Sequence, residues 1–455
     1  MRGSTAVDAQ PFCDIALEAS RQDLVKLVRS YLPDGDFRRI LIKPNWVRHE
    51  REPDFPIAAM VTSSRLVDAV IEACLSAYPR AQRILVGDAP LQDCNWDLLC
   101  RQAGIDRLMG KYRDGSGARV QIADLRRERF QDDGGFLRPL EPANAGDPAG
   151  YREIALDGES LLDAFGDSDR LFRVTNYSSR QTMSSHRSGF HRYLIAGSAL
   201  ECDLFINLPK MKTHQKAGIT GALKNVVGIN GEKAYLAHYR RGDPSRGGDE
   251  FSRDTSRAVV MQCRVREMLQ KRSKFLFRLG SLGWQVARTL RGIEVKGTAE
   301  NLSKRFYMAG GSWFGNDTIW RMVYDLNKIL LYTSPDGAAL RDTAQRAYLA
   351  ILDGMMAGEG DGPLQPLAVP TDLVACSNDP FLLDMVMASL MGFDYRKIPV
   401  LKNMPLFSGS PWGRFDPEEI EVRMDGRPLR GISSLPTLHQ FRPAPGWAGH
   451  IEREA

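Results

Sequence analysis

The sequence predicts an α/β protein built on a mainly parallel sheet with flanking helices and a second α/β lobe. Two observations carry this. Short apolar runs that stop at Pro or Gly-Asp alternate with helix-period segments, and the strand–helix–strand order implies βαβ crossovers. The composition, 43% hydrophobic and 26% charged over 455 residues, is that of an ordinary globular chain with enough material for a large core.

Arg39 to Asn45 reads as a buried strand ended at Pro44. Thr62-Ser63-Ser64 offers N-cap residues to a helix marked by Leu66, Val67, Val70, Ile71, Cys74 and Leu75. Arg83–Asp88 and Val120–Asp124 read as the next two strands. In parallel sheets ligands bind beyond the carboxyl ends of the strands, which puts Lys43, Asn45 and Asp88 on a binding rim. The Gly-, Pro- and Asp-rich stretch 134–169 is expected to loop over the surface. Residues 199–208 read as a helix end running into a strand closed by Pro209, and 240–253 as an exposed or lid-like loop. Asp317–Tyr332 and the segment around Leu383–Leu390 are expected helices, with Asn316 or Asp317 as the cap of the first. The expected organisation is an N-terminal extension (1–30), two lobes (about 31–200 and 201–400) and a C-terminal tail (401–455).

A formal charge of +5 is small for this length and argues against a nucleic-acid partner. Seven scattered cysteines without a CxxC pair speak against an iron–sulfur cluster and for reduced thiols in the cytoplasm. No apolar run is long enough for a transmembrane segment. Lys274–Arg291 has the pattern of a basic amphipathic helix, which raises a membrane-surface role beside the plainer one of core packing.

Potential chemistry is densest from Asn207 to Glu250. Lys210, Lys212, His214, Lys216 and Lys224 lie among Gly218, Gly221 and Gly228. Glycine lets the backbone approach a ligand, and ammonium groups with free amides suit a phosphate or carboxylate, so a small anionic molecule is the expected partner. His214 and His238 are the candidates for proton transfer, and Lys43, Asn45, Asp88, Lys210, Lys212, Lys224 and Asn225 for holding the ligand or a cofactor. His238 with Asp249 or Glu250 forms a candidate metal set. A second polar stretch, Asp353 to Pro363, carries three carboxylates among glycines; it is expected to loop after a strand at 348–352 and to take a hard cation or pair with the lysines. Asp384, inside an apolar helix, needs a buried partner.

These motifs, Ile42-Lys43-Pro44-Asn45, Val86-Gly87-Asp88, Leu208 to His214, Leu223-Lys224-Asn225 to Gly228, and Asp353-Gly354 with Glu359 to Pro363, resemble the family numbered three-six-two among domains of unknown function, over about residues 38–400. Many of its members carry a ferredoxin-like cysteine module that this chain lacks. His214-Gln-Lys-Ala-Gly-Ile-Thr-Gly-Ala-Leu-Lys224 is also similar to the signature of nickel-pincer lactate racemases. That resemblance implies a lactate-racemase-like fold, His214 as acid/base, Lys224 as tether of a nickel-pincer-type cofactor and His238 as nickel ligand. A divalent metal is the other cofactor it leaves open. The racemases' other catalytic histidine has no match here; Asp88 holds the analogous strand end. The expected activity is acid–base chemistry of racemase, epimerase or hydride/proton-transfer type on a small anion. The alternative is a non-catalytic binding protein for an anionic metabolite or cofactor. The oligomeric state is open, a homo-oligomer among the options.

Overall fold

The computed structural model describes residues 10–113, 119–132, 137–140, 146–175, 177–257, 259–261, 263–265, 310–407 and 412–454. Lys274–Arg291 lies outside them. At its centre one sheet runs in the order Arg427–Arg430, Glu421–Met424, Cys13–Ala16, Leu373–Ser377, Ala347–Asp361, Leu204–Leu208, Arg39–Pro44, Arg83–Asp88 and Val120–Asp124. The last five of these are parallel. Beyond Ala347–Asp361 the pairings with Leu373–Ser377 and then Cys13–Ala16 are antiparallel, so the sheet is mixed rather than mainly parallel. It draws strands from each of the segments 1–30, 31–200, 201–400 and 401–455.

Strand periodicity explains the layering. Leu41, Leu85, Phe205 and Ala350 face one core, covered by the helices Ile319–Tyr332 and Pro380–Leu390. Ile40, Ile42, Ile84, Val86, Leu204 and Ile206 alternate with them into a second core under Leu24–Tyr31, Ser64–Ala77 and Trp96–Ala103. Burial on both faces is why these strands read as continuous apolar runs. The caps follow the sequence: Ser63 Oγ accepts from Arg65 N, and Asn316 Oδ1 accepts from Thr318 and Ile319 N, each at 3.0 Å.

Three expectations are corrected. The stretch 134–169 contains a strand, Tyr151–Ala155, paired with Phe190–Ala196. Asp353–Asp361 is not a loop but the continuation of a fifteen-residue strand, held by Lys210–His214 on one side and Gln365–Val369 on the other. Gly358 serves packing, since a Cβ there would sit 2.7 Å from the Ala59 carbonyl oxygen, whereas Gly360 takes a φ of +75°. Finally, 240–253 is exposed only in part: Ser245, Arg246 and Arg253 are exposed, whereas Asp249, Glu250 and Phe251 are buried.

Candidate functional site

The carboxyl ends of the parallel strands meet the short helix Gly221–Asn225. A buried carboxylate sets that helix in place. Asp384 accepts from Ala222 N and Leu223 N, supplying acceptors for two of the donors that a helix start leaves free. Gly221 has φ +59°, and a Cβ there would fall on the Asp384 carboxylate. Asn327 Nδ2 holds Leu223 O at 2.9 Å.

Asn225, at the end of this helix, ties it to the sheet. Its Oδ1 accepts from Asn45 Nδ2 at 2.8 Å and Lys43 Nζ at 3.2 Å; its Nδ2 donates to Asn207 Oδ1 at 2.7 Å. With both ends of its amide occupied, Asn225 positions its neighbours rather than offering a group to a ligand. Lys43, fully buried, pairs with Asp88 at 2.8 Å, and Asp88 also accepts from Trp46 N at 2.6 Å. Gly228 lies directly against this pair, where a Cβ would fall on the Asp88 carboxylate and Lys43 Nζ. Lys210 pairs with Asp353 at 2.9 Å, and that carboxylate also accepts from Ser63 N at 2.7 Å. Both pairs are buried, so each removes one lysine from the charge available to a ligand.

Four further buried or largely buried lysines have no carboxylate in contact among the described residues. Lys212 Nζ donates to Met60 O, Lys216 Nζ to Gly310 O, and Lys233 Nζ to Asn230 O at 3.4 Å. Lys224 Nζ, on a side chain 8% exposed, has no acceptor among the described residues. Burial disfavours the charged form and the neighbouring ammonium groups add to it. Lys224 falls from 10.5 to about 7, by burial and then Lys216 and Lys43. Lys233 falls to about 7 by burial and by Lys43, Lys224 and Arg126, against the pull of Asp88. Lys212 is pushed well below its usual value by burial, Lys210 and Lys224. Lys216 falls only to about 8, because Glu250 and Asp249 oppose its burial.

The two imidazoles join this cluster. Burial, then Lys224, His238, Lys212 and Lys216, hold His214 well below the usual histidine value; burial, then Lys224 and Lys216, do the same to His238. Both rings are therefore neutral near pH 7. The hydrogen bonds assign opposite tautomers. His214 Nδ1 accepts from Lys216 N at 3.0 Å and Ala217 N at 3.3 Å, which leaves its proton on Nε2. His238 Nδ1 donates to Leu236 O at 3.2 Å, which leaves a lone pair on Nε2. One ring offers a donor and the other an acceptor.

Asp249 and Glu250 are engaged elsewhere. Asp249 accepts from Arg240 N, Thr318 Oγ1 at 2.6 Å and Asp317 N at 3.0 Å, fastening the start of the helix Ile319–Tyr332. Glu250 accepts from Gly242 N at 2.9 Å and pairs with Arg264 at 2.7 Å. Among the described residues no three His, Cys, Asp or Glu side chains are grouped to hold a metal ion. The set His238, Asp249 and Glu250 is thus not brought together as a cation site; the two carboxylates act on Lys216. Of the acidic stretch, Asp353 takes the lysine-pairing role and Glu359 binds Arg442 at 2.6 Å.

Sequence reasoning missed Lys233 and Gln92. Gln92 Oε1 accepts from Lys233 N at 3.3 Å, while its Nε2, buried, has no partner among the described residues. Asn45 Oδ1 and Thr220 Oγ1 are likewise buried without partners. Nothing local in Gly231-Glu232-Lys233 or Pro90-Leu91-Gln92 marks these side chains; only the fold brings Gln92 to Lys233, and Lys233 within electrostatic reach of Asp88. A cavity of 810 Å³ is lined by Arg51, Asp93, Trp96 and Arg129, away from the lysine cluster, and its two arginines are ion-paired, Arg51 with Asp93 at 2.8 Å and Arg129 with Asp124 at 3.1 Å.

Fold and site together define an α/β protein with a buried, cation-rich centre at the carboxyl edge of a parallel half-sheet. Residues 148–389, more than half of the chain, match the family described as domain of unknown function (DUF362), and the chain belongs to that family. The match covers the lysine segment, His238 and Asp384, but not the strand ends at Lys43–Asn45 and Asp88. Among curated proteins none matches the sequence. A crystal structure of a protein from Thermotoga maritima, from a structural genomics consortium, aligns with 76% of this chain and 52% of its own, at 11% identity and a TM-score of 0.32. The chain spans about half the length of that protein. No helix among the described residues is long and apolar enough to cross a membrane.

Proposed function

We propose that this chain is an enzyme that binds a small carboxylated or phosphorylated molecule at the lysine cluster and moves a proton on it between His214 and His238. One observation supports this most: four buried or largely buried lysines without carboxylate contacts among the described residues surround two neutral imidazoles of opposite hydrogen-bonding character. Uncompensated ammonium groups in a dry site are costly. A bound anion supplies the missing charge and brings a substrate to the imidazoles.

The sequence of events follows from these groups. Lys212 and Lys233 take the anion, and the added negative charge raises their pKa values and those of both histidines. His238 Nε2 then becomes a better base for a proton on the carbon beside the anionic group, while His214 Nε2–H donates to the oxygen that gains charge. Lys43–Asp88 and Lys210–Asp353 hold the floor of the site in register. A nickel-pincer-type cofactor, where present, would be held by Lys224 and His238, whose Nζ and Nε2 lack partners among the described residues, and would supply a hydride acceptor.

Calorimetric titration with inorganic phosphate and with L-lactate, in buffers of differing ionisation enthalpy, tests the anion site. Lys233, at about 7, requires uptake of about half a proton per anion at pH 7 and more at pH 8, and protonation of Lys212 adds to it. Proton NMR in deuterium oxide tests the chemistry, through exchange of the hydrogen beside the carboxylate in a panel of 2-hydroxy acids. His214→Gln and His238→Gln should each abolish exchange. Binding without proton uptake, or exchange that survives both substitutions, rejects the proposal; binding with uptake but no exchange on any panel member identifies a binding protein instead.

A further inference from the structure

Resting on the anion-site reading, we infer that Lys224 is a nucleophile that forms an imine with the carbonyl of an anionic substrate, so that the site takes a 2-oxo acid or a comparable carbonyl-bearing anion. The four lysines without carboxylate contacts differ in one respect. Lys212, Lys216 and Lys233 each donate from Nζ to a backbone carbonyl, which fixes the direction of the amine. Lys224 aims at none among the described residues, yet the helix that carries it is fastened at both ends. Its helix is fixed at one end by Asp384 and at the other by Asn225, which bonds Asn45, Lys43 and Asn207. The result is an amine held in position with its lone pair unused. Burial first, then repulsion from Lys216 and Lys43, lowers its pKa to about 7, so that much of it is free base near neutral pH.

The surroundings fit the remaining requirements. Lys212 and Lys233 lie within electrostatic reach of Lys224 and are placed to hold the anionic end of the ligand. The unpartnered Thr220 hydroxyl, one residue before the helix, is available to the carbonyl oxygen. In the step itself Lys224 Nζ forms the N–C bond and the carbonyl C–O bond breaks. The oxygen leaves as water with one amine proton and one solvent proton, and the C=N nitrogen keeps the last proton and the positive charge. The charged imine draws electrons from the adjacent carbon, whose proton passes to His238 Nε2. No oxidant or reductant is consumed.

The test uses the intact protein, pyruvate as probe and sodium cyanoborohydride to trap the imine, with each lysine followed by peptide mass spectrometry. At pH 7.5 an amine of pKa about 7 is mostly free base, whereas an ordinary lysine is free base at about one part in a thousand. Trapping at Lys224 is expected to be saturable in pyruvate and at least tenfold faster than at exposed Lys26 and Lys402. It should also be at least tenfold faster with pyruvate than with acetone, which has the carbonyl but no charge. Trapping that falls instead on Lys233 or Lys216, a rate at Lys224 no faster than at the surface lysines, no preference for pyruvate over acetone, or a Lys224 already modified when purified from the native host overturns the inference. Phosphate binding with proton uptake, measured in parallel, remains in those cases if only the imine is wrong; its loss would instead remove the anion site itself.

Discussion

Replacing Lys224 by methionine should make the protein more stable near neutral pH while weakening its hold on an anion. The side chains are both unbranched and of similar length, so packing changes little. The effect comes from linkage. Lys224 ionises at about 7 in the folded chain and near 10.5 when unfolded, so between these values the unfolded chain binds more protons and stability rises with pH. At pH 7.5 three units of this window remain, and at about 1.4 kcal/mol per unit the buried amine costs the folded state ~4 kcal/mol. Methionine removes that cost. With an unfolding entropy of about 2 cal/mol/K per residue, a chain of this length gains up to about 4 °C in Tm. At pH 10 the window has nearly closed and the gain should fall below about 1 °C. Differential scanning calorimetry of both proteins from pH 6.5 to 10, without added anions, measures this directly. A variant that melts lower than the parent at pH 7.5, or a gain that is the same at pH 7.5 and 10, would refute the reasoning. A lysine kept for stability would behave in that way; one kept at a cost for function would not.

Two other substitutions probe the floor of the site. Gly228→Ala puts a methyl group onto the Asp88 carboxylate and Lys43 Nζ, and should lower stability by about 3 kcal/mol in urea unfolding together with phosphate affinity; an unchanged midpoint would show that the contact yields freely. Asp88→Asn leaves Lys43 buried without its countercharge and should cost about 3–5 kcal/mol, most of it regained in the double variant Lys43→Met with Asp88→Asn. Additive losses in that cycle would mean that the two residues act independently.

How far the sequence determined this protein can be judged residue by residue. The strands at Arg39–Pro44, Arg83–Asp88 and Leu204–Leu208 were legible because burial on both faces writes itself as an apolar run, and Ser63 and Asn316 because caps are local. The lysine segment stood out by density alone. What each lysine does was not legible. Lys43 and Lys210 look no different in sequence from Lys212 and Lys224, yet the first two are neutralised by Asp88 and Asp353 and the others are not. The acidic glycine stretch after Leu352 reads as a loop because glycine is the signal for turns; in the fold it is a strand whose Gly358 admits the Ala59 backbone.

The sequence by itself determined many local units, among them the strands Arg39–Pro44, Arg83–Asp88 and Leu204–Leu208, the caps at Ser63 and Asn316, and the concentration of cations between Asn207 and Gly228. The tertiary structure decided the chemistry, because protonation depends on distance and solvent exposure between residues far apart in the chain. Asp384 reaches the helix that carries Lys224, Gln92 reaches Lys233, and Asp249 turns away from His238 to fasten another helix. Charge pairing and desolvation arise only when such partners meet, and they are what separates a lysine with a carboxylate partner from one without.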